Sequence, residues 1–430
     1  MLQQRIWLAA MVVLSVAACR KEEDRTPPSI EVLAPASGAL FMVPDTIQVT
    51  VRLGDERELE SVVFQLVDGN GITVGRSVTV PLSGTSTTVS GDLVLSDERL
   101  LSGTYVILVR ANDGSNDSRA FRDVQVLEAP LRLRSVYLTP PFTAETATIR
   151  RIDSLGQLSD WATVADLNGA AVDGYSQHVM LAGSRAAPFS ALPTAPWSVP
   201  WEFLPPGNDQ PEQFTGLTVD PLDGHTYFAT RDGFIRGFTG DGAQRFTAQT
   251  LMGYRCYAIT VLGDRVATWQ RAIAQPDQRV VSYTLAGTVL DILPVDQDLV
   301  AMFQRTSTSA LLFANQDGQG KIVELFISQG GSPILRTFPE GAILATTRMD
   351  ANTFFLALPD RIVRYRSDDH SVTTVVSSVT GTALAYEPAT GTLMIARGGD
   401  LLMVDPNNGT IVNTISNGTD IGSVLPLRNR

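Results

Sequence analysis

Leu384-Ala385-Tyr386-Glu387, Pro388-Ala389-Thr390-Gly391, Thr392-Leu393-Met394-Ile395-Ala396 and, a turn later, Leu402-Met403-Val404-Asp405 stand in sequence near the C-terminus. They read as a short apolar strand, a reversal, a second apolar strand and a third strand. The reversal opens on Glu-Pro and closes on Gly, which favours a tight turn because proline fixes φ and glycine accepts a left-handed backbone. The second strand is an apolar triplet ending in a small residue. The same wording recurs as Val136-Tyr137-Leu138-Thr139, Val179-Met180-Leu181-Ala182, Thr226-Tyr227-Phe228-Ala229, Leu311-Leu312-Phe313-Ala314 and Phe354-Phe355-Leu356-Ala357. From Thr139 to Ala396 the steps are 43, 47, 85, 43 and 39 residues. The step of 85 is double the others, and Arg265-Val266-Ala267-Thr268-Trp269 fills it with a degenerate copy.

Each copy follows another short strand, as in Ala170-Ala171-Val172-Asp173, Leu217-Thr218-Val219-Asp220 and Ile259-Thr260-Val261. A third strand comes after it, as in Ile235-Arg236-Gly237-Phe238, Val280-Val281-Ser282-Tyr283 and Val363-Arg364-Tyr365. A period of about 40 to 45 residues with about four strands per unit predicts a β-propeller. The first copy, near Val136, lacks its preceding strand, whereas Ile421-Gly422-Ser423-Val424-Leu425 is such a strand with nothing after it. Joining the two closes a ring and removes sheet edges that would otherwise invite aggregation. The expectation is an all-β chain whose residues 131–430 form a seven-bladed propeller. Six blades result if the copy around Trp269 is spurious, and eight remain an alternative. Leu401-Leu402-Met403-Val404-Asp405-Pro406-Asn407-Asn408-Gly409-Thr410-Ile411-Val412 resembles the blades of the YVTN and quinoprotein-like propeller superfamily. That resemblance spans roughly 131–430 and implies fold rather than chemistry.

Upstream, residues 29–128 alternate between apolar and polar positions in short runs, such as Ile47-Gln48-Val49-Thr50-Val51-Arg52-Leu53 and Val62-Val63-Phe64-Gln65-Leu66. Period-two alternation marks strands with one buried face, and about seven such runs in about 100 residues suggest an immunoglobulin-like β-sandwich. Gly103-Thr104-Tyr105-Val106-Ile107-Leu108-Val109-Arg110-Ala111-Asn112-Asp113-Gly114 resembles the late strand of bacterial immunoglobulin-like modules, with Tyr105 placed to hydrogen-bond back to the loop before it. Such modules act as spacers or stalks. Asp55, Glu56, Glu58, Asp113 and Asp117 could gather round a calcium ion, although their spacing matches no calcium loop and acidic residues are common in exposed turns.

The N-terminus carries Arg5, the apolar stretch Ile6 to Leu14 and then Val16-Ala17-Ala18-Cys19. The apolar core is too short for a membrane span of about 20 residues and reads as a secretory signal. Small residues before Cys19 resemble the lipobox of bacterial lipoproteins, which implies a signal peptide over 1–18, a lipidated Cys19 and a charged tether over 19–28. Lys21, Glu22, Glu23 and Asp24 resemble the export signal of Bacteroidota surface lipoproteins; the bland alternative is a merely solvated tether. The resemblance implies attachment to the outer membrane, facing the cell exterior. Two or three acyl chains, at about 0.8 kcal/mol per buried methylene, make such an anchor effectively permanent.

Cleavage after Ala18 would remove one basic residue, Arg5, leaving 32 basic residues against 45 acidic ones and a net charge of −13. That field disfavours nucleic acid and anionic lipid as partners. With Cys19 used by the anchor, Cys256 has no disulfide partner, and its place at the start of an apolar strand predicts burial. His178, His225 and His370 lie on different blades, none with a second ligand at metal spacing, so no metal and no cofactor are expected. Quinoprotein-like enzymes need charged and calcium-binding residues around the channel, and no such set is visible in the sequence. Trp197, Trp201 and Phe203 lie in a Pro-rich insertion, where they either stack on a sugar or protein partner or pack on the propeller wall. Trp161 and Trp269 fall in strand patterns and read as core. Asp45-Thr46-Ile47 and Asp153-Ser154-Leu155 resemble the Bacteroidota O-glycosylation acceptor, which implies glycan on Thr46 or Ser154. Without a nucleophile–base or metal constellation the chain reads as a non-enzymatic binding or scaffold lipoprotein. Its partner would be an outer-membrane protein or a glycan. The alternatives are a propeller hydrolase or lyase acting on a glycan or lactone, and a purely structural subunit.

Overall fold

Period-two burial builds the N-terminal part of the chain. In a computed structural model, which describes residues 25–142, 145–191, 199–205, 213–220 and 223–429, its strands are β1 (Ser29–Ala34), β2 (Ala39–Met42), β3 (Asp45–Gly54), β4 (Ser61–Val67), β5 (Thr73–Pro81), β6 (Ser86–Leu95), β7 (Gly103–Asn112) and β8 (Asp117–Leu127). They form two sheets, ordered β1-β3-β6 and β2-β8-β7-β4-β5, with β2 parallel to β8. Ile47, Val49, Val51 and Leu53 of β3 face Phe64 of β4 and Ile107 and Val109 of β7 in one apolar core, so the two sheets form a sandwich. Gly91 of β6 lies over the Phe64 ring, where a Cβ would come within 2.5 Å of it. The Tyr105 hydroxyl donates to the Leu101 carbonyl at 3.0 Å, tying β7 to the loop before it as the sequence predicts. The chain divides between Pro130 and Leu131 into this unit and a second one.

The apolar triplets organise the second unit because each is covered on both faces, which favours continuous apolar runs over alternation. In strand Ser309–Gln316, Ala310 and Leu312 pack against Trp269 and Val280 of the sheet before it. Leu311 and Phe313 pack against Phe354, Leu356 and Tyr365 of the sheet after it. Among the described residues the unit holds seven such sheets. Six have four strands; the second has three, Gly169–Asp173, His178–Ala182 and Ala186–Ser190. The degenerate copy around Trp269 forms a regular strand, Arg265–Ala272, in a complete four-stranded sheet.

The sheets are joined through their inner strands. Gly169–Asp173, Phe214–Val219, Tyr254–Leu262, Asp298–Gln304, Ala345–Arg348, Ala383–Glu387 and Ser423–Arg428 each touch the next, and the last touches the first. Ser423–Arg428 belongs to the first sheet, pairing antiparallel with Leu133–Thr139 through Val424 opposite Leu138 and Leu425 opposite Tyr137. The ring is thus closed by the C-terminal strand, giving a β-propeller.

Candidate functional site

Six inner strands end in a turn into their second strand, the closing strand Ser423–Arg428 ends at Arg428, and the end regions of six of the seven surround one cavity of about 600 Å³. Thr218, Val219 and Asp220 come from the third sheet, Thr260 and Val261 from the fourth, and Met302, Phe303 and Gln304 from the fifth. Arg348, Met349, Asp350 and Ala351 come from the sixth, Tyr386 and Pro388 from the seventh, and Arg428 from the first. The volume suits a small organic ligand, and mixed apolar walls with a few polar groups are typical of such sites. Thr260 Oγ1 donates to the Met302 carbonyl at 2.9 Å, which bridges two inner strands at the wall.

The charged groups at the mouth, and Glu387 buried behind it, are held in different ways. Glu387 is fully buried; its Oε1 accepts the Ala389 amide at 2.9 Å and its Oε2 accepts Arg428 Nε at 3.1 Å. Arg428 Nη2 also donates to the Tyr386 carbonyl at 3.1 Å, so the C-terminal strand is latched to the seventh sheet. Arg348 donates from Nε to the Asp350 carbonyl at 2.9 Å and from Nη2 to the Ala351 carbonyl at 3.3 Å. Asp350 Oδ1 accepts the amides of Asn352 and Thr353 at 2.8 and 2.9 Å, which fixes the turn.

This convergence is absent from the sequence reading, which finds no charged set around the channel. One signal was present: Asp220 on the cavity wall and Glu387, which holds Arg428, share one place in the repeat with Asp173, and all three are buried. The arginines gave none, because Arg348 and Arg428 meet through ring closure rather than through spacing.

Other candidates are dispersed. Trp201 stacks on Phe238 at 5.1 Å, and its Nε1 donates to the Gly240 carbonyl at 3.1 Å. Phe203 lies 4.9 Å from Phe228 and 5.8 Å from Phe238 by ring centroids, and its backbone exchanges two hydrogen bonds with Ala186. Both side chains therefore pack on the propeller wall; Trp197 lies outside the described residues, as do Cys19, Lys21, Glu22, Glu23 and Asp24. Trp269 is buried, and Trp161 packs edge-on against Tyr137 at 4.7 Å. Thr46, on β3, and Ser154, in the turn after strand Thr146–Ile152, are both exposed.

Among the described residues no three Asp, Glu, His or Cys side chains gather as a metal site. Asp113 Oδ1 accepts the Ser115 and Asn116 amides, and Asp117 pairs with Arg110 at 2.6 Å. His225 Nδ1 lies 2.7 Å from Asp223 and His370 Nδ1 lies 2.9 Å from the Tyr365 hydroxyl, each within its own sheet. Burial pushes the His178 imidazole pKa below its ordinary value, against the opposing pull of Asp173. Cys256 is fully buried, and desolvation pushes its thiol far up, which suits packing and not nucleophilic attack. Among the described residues no helix is long and apolar enough to cross a membrane.

No family model matches the chain, and no curated protein matches it. Among solved structures it is similar to the WD40 β-propeller domain of Doa1, with 11% identity and a TM-score of 0.47 over 61% of this chain and 86% of that one. It is similar to BamB from Moraxella catarrhalis, with 12% identity and a TM-score of 0.40 over 59% and 76%. It is also similar to Saccharomyces cerevisiae Sqt1, with 12% identity and a TM-score of 0.46 over 66% and 88%. At such identities a likeness concerns fold alone.

Proposed function

We propose that this protein is an outer-membrane lipoprotein that carries an immunoglobulin-like stalk and a seven-bladed propeller head, and that the head binds a partner at the mouth of its ring. Cys19 is its lipid anchor, and Lys21 to Asp24 direct it to the cell exterior. The observation that carries the binding role is the cavity to which six of the seven inner strands contribute. A mouth built by so many sheets is held rigid by the whole ring, which suits recognition. The polar groups there are largely spent on structure, with Arg428 on Glu387 and Asp350 on its own turn, which favours binding over turnover.

The test is co-purification from outer membrane under mild detergent, with the Thr218→Trp variant as the comparison because a tryptophan there would fill the mouth. A stoichiometric partner retained by the wild type and lost by the variant is expected. No partner, or equal recovery by both, would sink the reading. Protease shaving of intact cells tests display, since full protection of the head excludes an exterior position. Asp220 and Asp350 at the same mouth favour one second reading, a hydrolase or lyase acting on a glycan or lactone. It requires measurable turnover that Asp220→Asn abolishes. The exposed hydroxyls of Thr46 and Ser154 suit O-glycosylation, which intact-mass measurement of the native protein would register.

A further inference from the structure

Arg348 places a charge at the mouth that no ion pair among the described residues meets. It ends the inner strand of the sixth sheet and lines the cavity. Its Nε and Nη2 donate to two carbonyls of its own loop, which orients the guanidinium plane without neutralising it. The guanidinium also lies 5.9 Å from the centroid of the Phe354 ring. Arg348 makes no ion pair among the described residues, and its Nη1 donates to none of their groups. Arg428, in contrast, is committed to Glu387 at 3.1 Å.

Neither carboxylate on the cavity wall takes this role. Asp350 turns an oxygen onto the Asn352 and Thr353 amides, and Asp220 stands on the third sheet, with the fourth and fifth sheets between it and Arg348. Between them the fourth and fifth sheets contribute Val261, Met302 and Phe303 together with Thr260 and Gln304, and Met349 follows Arg348 directly. An oriented guanidinium with a free edge, set beside a partly apolar wall, suits a planar anion carried on an apolar body.

We propose that the cavity takes a small organic acid whose carboxylate is held by Arg348 and whose apolar body packs against the half-buried Phe303 and Met349. This rests on the mouth being the binding site, and it specifies what class of molecule enters. Titration calorimetry of the mature chain with naphthylacetate and with its uncharged analogue naphthylacetamide tests it. The acid should bind at least about tenfold more tightly than the amide, the preference expected of a charge-assisted hydrogen bond. Arg348→Gln should remove that preference, and Arg348→Lys should restore part of it. Comparing acid with amide on the wild type keeps the test independent of how the variants fold, and a thermal melt checks each variant. Equal affinity for acid and amide, binding of neither, or a folded Arg348→Gln protein that still prefers the acid would overturn the proposal. If the acid fails while Thr218→Trp still abolishes co-purification, the ligand class is wrong and the mouth remains the binding site.

Discussion

Glu387 is a carboxylate with no exposed surface, and its charge is tolerable only because Arg428 and the Ala389 amide meet it. Removing one member of a fully buried ion pair costs about 3–5 kcal/mol, mostly from the stranded partner. Arg428 is 32% exposed by side chain, so the expected cost of Arg428→Ala is smaller, about 2–3 kcal/mol. Glu387→Gln in that background should recover part of it by removing the stranded charge. Denaturant midpoints at constant m-value would show both effects, and an unchanged midpoint for Arg428→Ala would contradict the latch. His178 gives a pH signature. Burial holds its pKa below that of the unfolded chain, so as pH falls below about 6.5 the unfolded state takes up a proton first. Stability should therefore decline with acidification below that pH, and His178→Asn should flatten the slope; parallel curves for wild type and variant would refute it. Of the mouth, only Asp220 and the Glu387 behind it, acidic residues at one place in the repeat, were legible in the sequence. A residue's partner across a closed ring has no fixed spacing, so Arg348 and Arg428 could not be read.

The turn between the third and fourth strands shows how neighbouring sheets seat on one another. Gly409, in this turn of the seventh sheet, has a φ of +73° and lies against the Val375 carbonyl of the sixth sheet's outer strand. Gly287 of the fourth sheet lies against the Thr247 carbonyl of the third in the same way. In the third sheet the corresponding Gly242 meets Trp201, where a Cβ would come within 2.5 Å of the indole. Trp201 thus takes the place that an outer strand holds elsewhere, beside a sheet whose described strands number three. Gly409→Ala should cost about 2–4 kcal/mol, combining left-handed strain with overlap against a neighbouring backbone. Gly418 has the same φ but nothing within 4 Å, so Gly418→Ala should cost only about 1 kcal/mol. Equal costs for the two in chemical denaturation would show that the seat contributes nothing. The repeat and its strands were legible because burial on both faces writes apolar triplets into the sequence. The seating was not, since a glycine in a turn looks the same whether it faces solvent or another sheet. The insertion around Trp201 carries no period, which is why its rings could be placed only by the structure.

Ring closure depends on a single strand shared by two cores. In Ser423–Arg428, Val424 packs with Val136, Leu138 and Met394 on the side of the seventh sheet, and Leu427 packs with Tyr137, Val179 and Leu181 on the side of the second. Beyond the ladder, the Arg132 amide donates to Asn429 Oδ1 at 2.8 Å and the Asn429 amide donates to the Arg132 carbonyl at 3.1 Å. Each buried Val or Leu contributes about 1.5–3 kcal/mol. With the Arg428 latch, losing the strand therefore removes several kcal/mol of packing from a unit of a kind whose net stability is ordinarily about 5–15 kcal/mol. Removing residues 423–430 would also leave strand Leu133–Thr139 with an unpaired edge, a template for association. The truncated chain should melt at much lower temperature and elute as aggregates in size-exclusion chromatography. A general folding defect would look similar, so the decisive measurement adds a synthetic peptide of residues 419–430 in trans. If that strand closes the ring, the peptide should restore monomeric elution and much of the melting temperature, whereas one carrying Val424→Ser and Leu427→Ser should not. Equal rescue by both peptides, or a truncated chain as stable as the intact one, would show that the ring does not depend on its last strand.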